Sequence, residues 1–186
     1  MADESIMQLA RAYHFAAVRH ASKRRKGQAA EPYINHLTEV AELVARATRG
    51  TDPDIVIAAV LHDTVEDTDA TLEELETSFG ERVAGLVGEV TDDKSLPKQT
   101  RKDLQVERAG HASRGAQIVK LADKISNLRS LAQSPPHDWD EARRREYLGW
   151  ACQVVDRCRS ADSWLADQFD DAANALRKTF SAAGAY

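Results

Sequence analysis

Cysteine is scarce: the 186 residues contain only two. Cys152 and Cys158 stand six apart, which matches neither a CxxC redox motif nor a zinc ribbon. A disulfide scaffold and a thiolate zinc site are thereby excluded, and reduced thiols are expected. No run approaches the ~20 consecutive apolar residues that a membrane span requires. The start, Met-Ala-Asp-Glu-Ser, lacks the basic-then-apolar pattern of a secretory signal. Positive charge is in deficit, since 25 Lys and Arg against 30 Asp and Glu leave a net charge of −5. That is the wrong field for general nucleic-acid binding. Strand-type alternation is missing too. These absences predict a soluble, cytoplasmic, all-α protein with no nucleic-acid and no membrane partner. The length suits one domain, 1–186, with a core of its own.

What is present is helical periodicity. Residues 6–23 repeat apolar side chains at three- and four-residue spacing and end in cations before Gly27. Residues 37–48 and 54–63 predict two more helices, separated by the break Gly50-Thr51-Asp52-Pro53. Thr71-Leu-Glu-Glu74 reads as a capping box, so a helix starts there and stops near Gly80. Further helices are expected over 81–90, 97–109, 113–132, 138–158 and 162–180, with 181–186 frayed. The architecture implied is an irregular helical bundle. Its apolar C-terminal face is compatible with a closed monomer and with a homodimer. Trp139, Trp150 and Trp164 are expected to pack the C-terminal helices together.

The chemistry concentrates in Leu-His-Asp-Thr-Val-Glu-Asp-Thr at residues 61–68. Ionisable groups at the end of a core-forming segment are costly unless something pairs with them. A divalent cation does so, because imidazole and carboxylate both ligate first-row metals. On a helix His62 shares a face with Glu66, and Asp63 with Asp67. His36 opens another amphipathic segment, and Asp123 lies inside the strongest apolar-periodic helix. The order His36, His62-Asp63, Asp123 offers two nitrogen and two oxygen ligands and leaves room on a six-coordinate ion such as Mn²⁺ or Fe²⁺. A closed structural zinc site more often uses cysteine. Two basic runs flank the set: Lys23-Arg24-Arg25-Lys26, and Lys94, Lys98, Arg101 and Lys102. Each alone suits a solvated helix end; together, beside a metal site, they suit a polyanionic substrate. Asn127 follows Asp123 by four residues and shares its helical face.

The ligand order resembles the signature of the HD phosphohydrolase superfamily. The resemblance narrows along the chain through Arg24-Arg25-Lys26, Pro32-Tyr33-Ile34-Asn35-His36, the octapeptide, Val90-Thr91-Asp92-Asp93-Lys94 with Leu96-Pro97-Lys98, and the segment 119–128. In this order they are similar to the small alarmone hydrolases (MESH-type), stand-alone relatives of the Rel/Spo hydrolase domain. The similarity runs from about Leu9 to Trp164. One departure is Leu37, where relatives often carry proline; proline would only start a helix.

The resemblance implies an HD-type helical bundle and metal-dependent removal of the 3′-pyrophosphate of (p)ppGpp, giving GDP or GTP. The implied ion is Mn²⁺, with Fe²⁺, Co²⁺ and Zn²⁺ as alternatives. His36, His62, Asp63 and Asp123 are the implied ligands. Glu66 and Asp67 are implied to orient the attacking water and take its proton. Arg25, Lys26 and Asn127 would bind the nucleotide, and Lys98, Arg143 and Tyr147 would approach its phosphates. Two other functions stay open at this point. Relatives also hydrolyse the 2′-phosphate of NADPH, and some superfamily members bind without cleaving.

Overall fold

The computed structural model describes residues 2–180. Among them the chain is helical apart from one isolated antiparallel bridge, Arg24 with Pro32. Ten α-helices follow one another: α1 (Ala2–Arg19), α2 (Ile34–Ala47), α3 (Pro53–Leu61), α4 (Thr64–Asp67), α5 (Leu72–Phe79), α6 (Glu81–Val90), α7 (Lys98–Ala109), α8 (Arg114–Gln133), α9 (Glu141–Cys158) and α10 (Ser163–Lys178). The expected fraying of 181–186 lies outside the described residues.

Helix α3 is the centre. Every residue from Ile55 to Leu61 is buried, as expected of a helix apolar all round. It packs against α1, α2, α6 and α8. Helix α8, 20 residues long, packs against it and also meets α2, α6, α9 and α10. Leu121, Ile125 and Leu128 on α8 are fully buried, so truncating any of them to Ala costs about 2–5 kcal/mol. The approach of α8 is close at its first turn, where a Cβ on Gly115 would stand 2.8 Å from Leu86 and 3.3 Å from Ile55.

Local chemistry sets the ends. The Thr71 hydroxyl accepts the Glu74 amide, so α5 starts where expected, but the capping box is half made because the Glu74 carboxylate pairs with Arg19; Gly80 at φ 92° separates α5 from α6. Asp140 and Asp162 cap α9 and α10 through the amides of Arg143 and Leu165. The sequence misplaces two ends. Helix α1 stops at Arg19 rather than at Lys23. The chain then folds back on itself, Arg25 N–H donating to Glu31 C=O and Tyr33 N–H to Lys23 C=O. That pairing joins residues six and ten apart, which helical periodicity does not report. Helix α3 also ends before His62. The His62 imidazole occupies the Ala59 carbonyl and Asp63 adopts φ −97°, ψ 0°, the bridge region common at active sites.

Candidate active site

His36 comes from the first turn of α2, His62 and Asp63 from the turn between α3 and α4, and Asp123 from the middle of α8. His62 Nδ1 lies 2.8 Å from the Ala59 carbonyl oxygen. A carbonyl only accepts, so Nδ1 carries a hydrogen and Nε2 is the nitrogen left to face the carboxylates. That Nε2 is buried with no partner. His36 is oriented likewise: Ser126 Oγ donates to Glu39 Oε2 at 2.7 Å and accepts from His36 Nδ1 at 2.8 Å. Both Nε2 atoms therefore converge on two carboxylates. His36 Nε2 stands 3.4 Å from Asp123 Oδ1 and 3.5 Å from Asp63 Oδ2, and His62 Nε2 stands 3.3 Å from Asp63 Oδ2. The ligand atoms of His36, His62 and Asp123 all lie within 4.8 Å of one another. Asp63 adjoins them through an oxygen that also accepts from Tyr33 Oη at 2.5 Å.

The electrostatics point the same way. Burial alone would raise Asp63 and Asp123; His62 for the first, and Lys124 at 3.0 Å with the imidazoles for the second, outweigh it and hold both well below the usual carboxylate range. Burial would push His62 down, but Asp63 and Asp123 carry it up to about 9. Two carboxylates that hold a proton on His62 in this way form a cluster that demands positive charge, which a cation at the imidazole Nε2 atoms would supply in the proton's place. The donor set fits a divalent first-row metal, and the orphaned His62 Nε2 is the atom that such an ion satisfies.

Glu66 and Asp67 occupy α4, one turn beyond the ligands. Their surroundings separate them. Among the described residues Glu66 accepts one hydrogen bond, from the Asp92 amide at 3.2 Å, with Lys94 Nζ no closer than 4.0 Å, and burial followed by the Asp63 charge raises its pKa. Asp67 is gripped by Lys23 and, at 2.5 Å, by Lys94. Burial and Asp63 would raise it too, but the two ammonium groups win and lower it.

These residues lie at the inner end of a cleft of about 680 Å³. Every substrate-binding position expected from the sequence, namely Arg25, Lys26, Lys98, Asn127, Arg143 and Tyr147, lines it. Arg25 and Lys26 reach it from the loop after α1, not from the helix itself. Arg25 Nη2 donates to Asn127 Oδ1 at 3.0 Å, while Asn127 Nδ2 donates to Asp123 Oδ1 at 2.6 Å. Cations outnumber carboxylates in the lining, so a negatively charged protein carries a locally positive cleft. Arg143 lies over the Trp139 ring at 4.5 Å and pairs with Asp138 at 3.3 Å. Tyr147 is half-buried, and desolvation pushes its hydroxyl up to about 12, so it stays a neutral donor.

Residues 12–149 match the HD domain family. Human MESH1, guanosine-3′,5′-bis(diphosphate) 3′-pyrophosphohydrolase, is 54% identical over 80% of this chain and 83% of its own length. The chain belongs to the HD-domain family, on its MESH1 branch. The Drosophila melanogaster protein of the same name is 46% identical over 84% of this chain and 88% of its own. A solved structure, described as a metazoan ortholog of SpoT that hydrolyses ppGpp, superposes with a TM-score of 0.85 at 44% identity, covering 89% of this chain and 93% of that one.

Within this HD-domain protein several site residues escaped the sequence reading. Tyr33 stood inside a recognised motif, yet its bond to Asp63 needs the 24–32 turn to place it. His20, just beyond the end of α1, stacks on Tyr33 at 5.2 Å. Ser126 and Glu39 orient His36 from two different helices. Trp139 and Trp150 pack against the core as expected, and they also line the cleft. No helix among the described residues is long and apolar enough to cross a membrane.

Proposed function

We propose that this chain is a metal-dependent (p)ppGpp 3′-pyrophosphohydrolase. The observation that supports it best is the convergence of two imidazole Nε2 atoms on two carboxylates beside a cation-lined cleft, in a chain 54% identical to human MESH1. His36, His62, Asp63 and Asp123 would hold the ion, with Mn²⁺ favoured by the mixed nitrogen and oxygen set. When bound, the ion supplies Lewis acidity, making water a better nucleophile and drawing charge from the phosphoryl oxygens.

The chain's own residues do the rest. Glu66, with its raised pKa and single amide bond, takes the proton of the attacking water. Asp67 is fixed by Lys23 and Lys94 and orients that water. The water oxygen adds to the phosphorus on ribose O3′ and the P–O3′ bond breaks; pyrophosphate is released, and O3′ takes the proton held by Glu66 to become the hydroxyl of GDP or GTP. Arg25 and Asn127 form one hydrogen-bonded unit for the base and ribose, and the Arg25 plane can stack on a purine. Lys26, Lys98 and Arg143 neutralise the phosphates, the usual large contribution in phosphoryl transfer.

The test is pyrophosphate release from ppGpp by the purified chain with Mn²⁺, with NADPH as a competing substrate in the same assay. Release of pyrophosphate, abolished by a chelator and restored by Mn²⁺, supports the reading. Orthophosphate release from NADPH alone would replace it with the 2′-phosphatase. Binding of ppGpp without turnover would make the chain a non-catalytic alarmone-binding module.

A further inference from the structure

Two lysines are buried in the described structure, and their situations differ. Lys124 is bonded to Asp123 at 3.0 Å and lies over the Trp150 ring at 4.5 Å. Lys120, one turn earlier on α8, is 8% exposed and makes no hydrogen bond or ion pair with any described residue. An ammonium taken out of water without a counter-charge is strongly unfavourable. Lys120 lines the main cleft and also a side hollow of about 20 Å³ that opens beside it. Arg101 of α7 lines both cavities as well, and its Nε is buried with no partner. Two cations with no hydrogen-bond or ion-pair partner among the described residues thus line the same two cavities, with Asp123 and Asp92 acting on Lys120 only as more distant charges. The carboxylates beside the hollow are engaged elsewhere: Asp92 accepts from Gln105, Asp93 from Ser95 and Glu89 from Ser113.

The position of this pair along α8 tells what it would bind. At 1.5 Å per residue, Lys120 precedes Asp123 by about 4.5 Å and Asn127 follows it by about 6 Å. The nucleotide grip of Arg25 and Asn127 and the pair Lys120 and Arg101 therefore lie on opposite sides of the ligand cluster. A substrate whose reacting phosphorus sits at the cluster, with its nucleoside toward Asn127, extends its remaining phosphate toward Lys120. The hollow is too small for a phosphate, so that group would lie in the cleft.

We propose that Lys120 and Arg101 form a subsite for the terminal phosphate of the 3′-pyrophosphoryl group, and that this subsite makes the enzyme prefer a pyrophosphate ester over a monophosphate ester. The inference rests on the proposed (p)ppGpp hydrolysis and adds to it the residues that recognise the leaving pyrophosphate. Burial and the neighbouring Lys124 charge lower the pKa of Lys120 against smaller opposing contributions from Asp123 and Asp92; an incoming phosphate dianion would add to that opposition.

The Mn²⁺-loaded wild type and Lys120→Met are compared in kcat/KM on ppGpp, in inhibition by a guanosine 5′-diphosphate carrying a single 3′-phosphate, in calorimetric binding of inorganic pyrophosphate and orthophosphate, and in Tm. Loss of one charge-assisted hydrogen bond should lower kcat/KM on ppGpp and pyrophosphate affinity by about 10- to 100-fold. Inhibition by the monophosphate analogue and orthophosphate binding should stay within about threefold, as neither places a phosphate at the subsite. Tm should hold or rise, because methionine removes an unpaired buried charge at similar volume. Lys120→Arg and Arg101→Met should fall between the two proteins. Equal weakening of both guanosine ligands, unchanged pyrophosphate affinity, or a lowered Tm with lost metal overturns the subsite. If the wild type releases no pyrophosphate from ppGpp, the proposed function fails, and the pyrophosphate titration of wild type against Lys120→Met still decides whether the subsite exists.

Discussion

Ser126 Oγ lies 2.8 Å from His36 Nδ1 and passes its own hydrogen to Glu39, so one hydroxyl of α8 fixes the tautomer of an imidazole on α2. Outer partners of this kind typically control metal affinity by 10–100-fold. Ser126→Ala should therefore weaken Mn²⁺ binding to the metal-free protein by about that factor, with kcat at saturating metal close to wild type. Ser126→Thr, which keeps the hydroxyl, should recover most of the affinity. A titration followed by calorimetry measures both. Unchanged affinity in Ser126→Ala would show that packing alone orients His36.

The unequal settings of Glu66 and Asp67 predict unequal losses. Glu66→Gln removes the proton acceptor and should lower kcat by roughly 10²-fold or more with metal content kept. Asp67→Asn leaves a neutral amide between Lys23 and Lys94, so its loss of kcat should come with mutual repulsion of those lysines and a salt-dependent KM. Metal analysis beside steady-state kinetics separates the two effects. A variant that loses its metal instead would place that acid among the ligands.

Arg25, Asn127 and Asp123 form a chain of side-chain hydrogen bonds of 3.0 and 2.6 Å. Arg25→Lys keeps the charge and loses the planar fork, so KM for ppGpp should rise by about tenfold. Asn127→Ala should raise KM for ppGpp, and for pyrophosphorylated nucleotides with other bases, by different factors. Lys26→Ala should weaken every phosphorylated ligand alike, with a shallower dependence on salt. Wild-type KM in all three would remove this face from the nucleotide site.

Arg82 of α6 pairs with Asp52 at 2.6 Å and Asp54 at 2.8 Å, tying α6 to the start of α3. The guanidinium lowers the pKa of Asp52 against a smaller rise from burial. A lowered carboxylate pKa stabilises the fold above the ordinary value near 3.8 and loses that contribution as pH falls through the folded value. The groups are partly exposed, so Arg82→Gln should cost about 0.5–1 kcal/mol at pH 7. Urea midpoints should show that gap holding down to about pH 4 and closing below it. A gap that persists at the lowest pH would assign the loss to packing.

The sequence made the helices and the ligands legible because both leave short-range marks. Apolar spacing exposed α3 and α8, Thr71 and Gly80 marked the ends of α5, and a carboxylate inside an apolar helix marked Asp123. The 24–32 turn left no such mark. It depends on Arg24 meeting Pro32 and on Ala29 N–H meeting Ser134 Oγ across 105 residues. Tyr33, His20 and Lys23 gain their roles from that turn. Ser126 and Glu39 were hidden for a related reason: a small hydroxyl and a surface-type acid carry no periodic signal until α2 and α8 lie side by side.

Helix α8 carries Lys120, Asp123, Ser126 and Asn127 on a rail whose other side, Leu121, Ile125 and Leu128, is sealed in the core. Spacing between the proposed phosphate subsite, the ligand cluster and the nucleotide grip is therefore set by helical rise alone, like marks on a ruler. A single inserted residue would rotate the marks beyond it by about 100° and swap sealed side chains for functional ones. The opposing walls, from the 24–32 turn, α7 and α9, carry no such constraint. An engineer seeking a new substrate should redraw those walls and leave the ruler untouched.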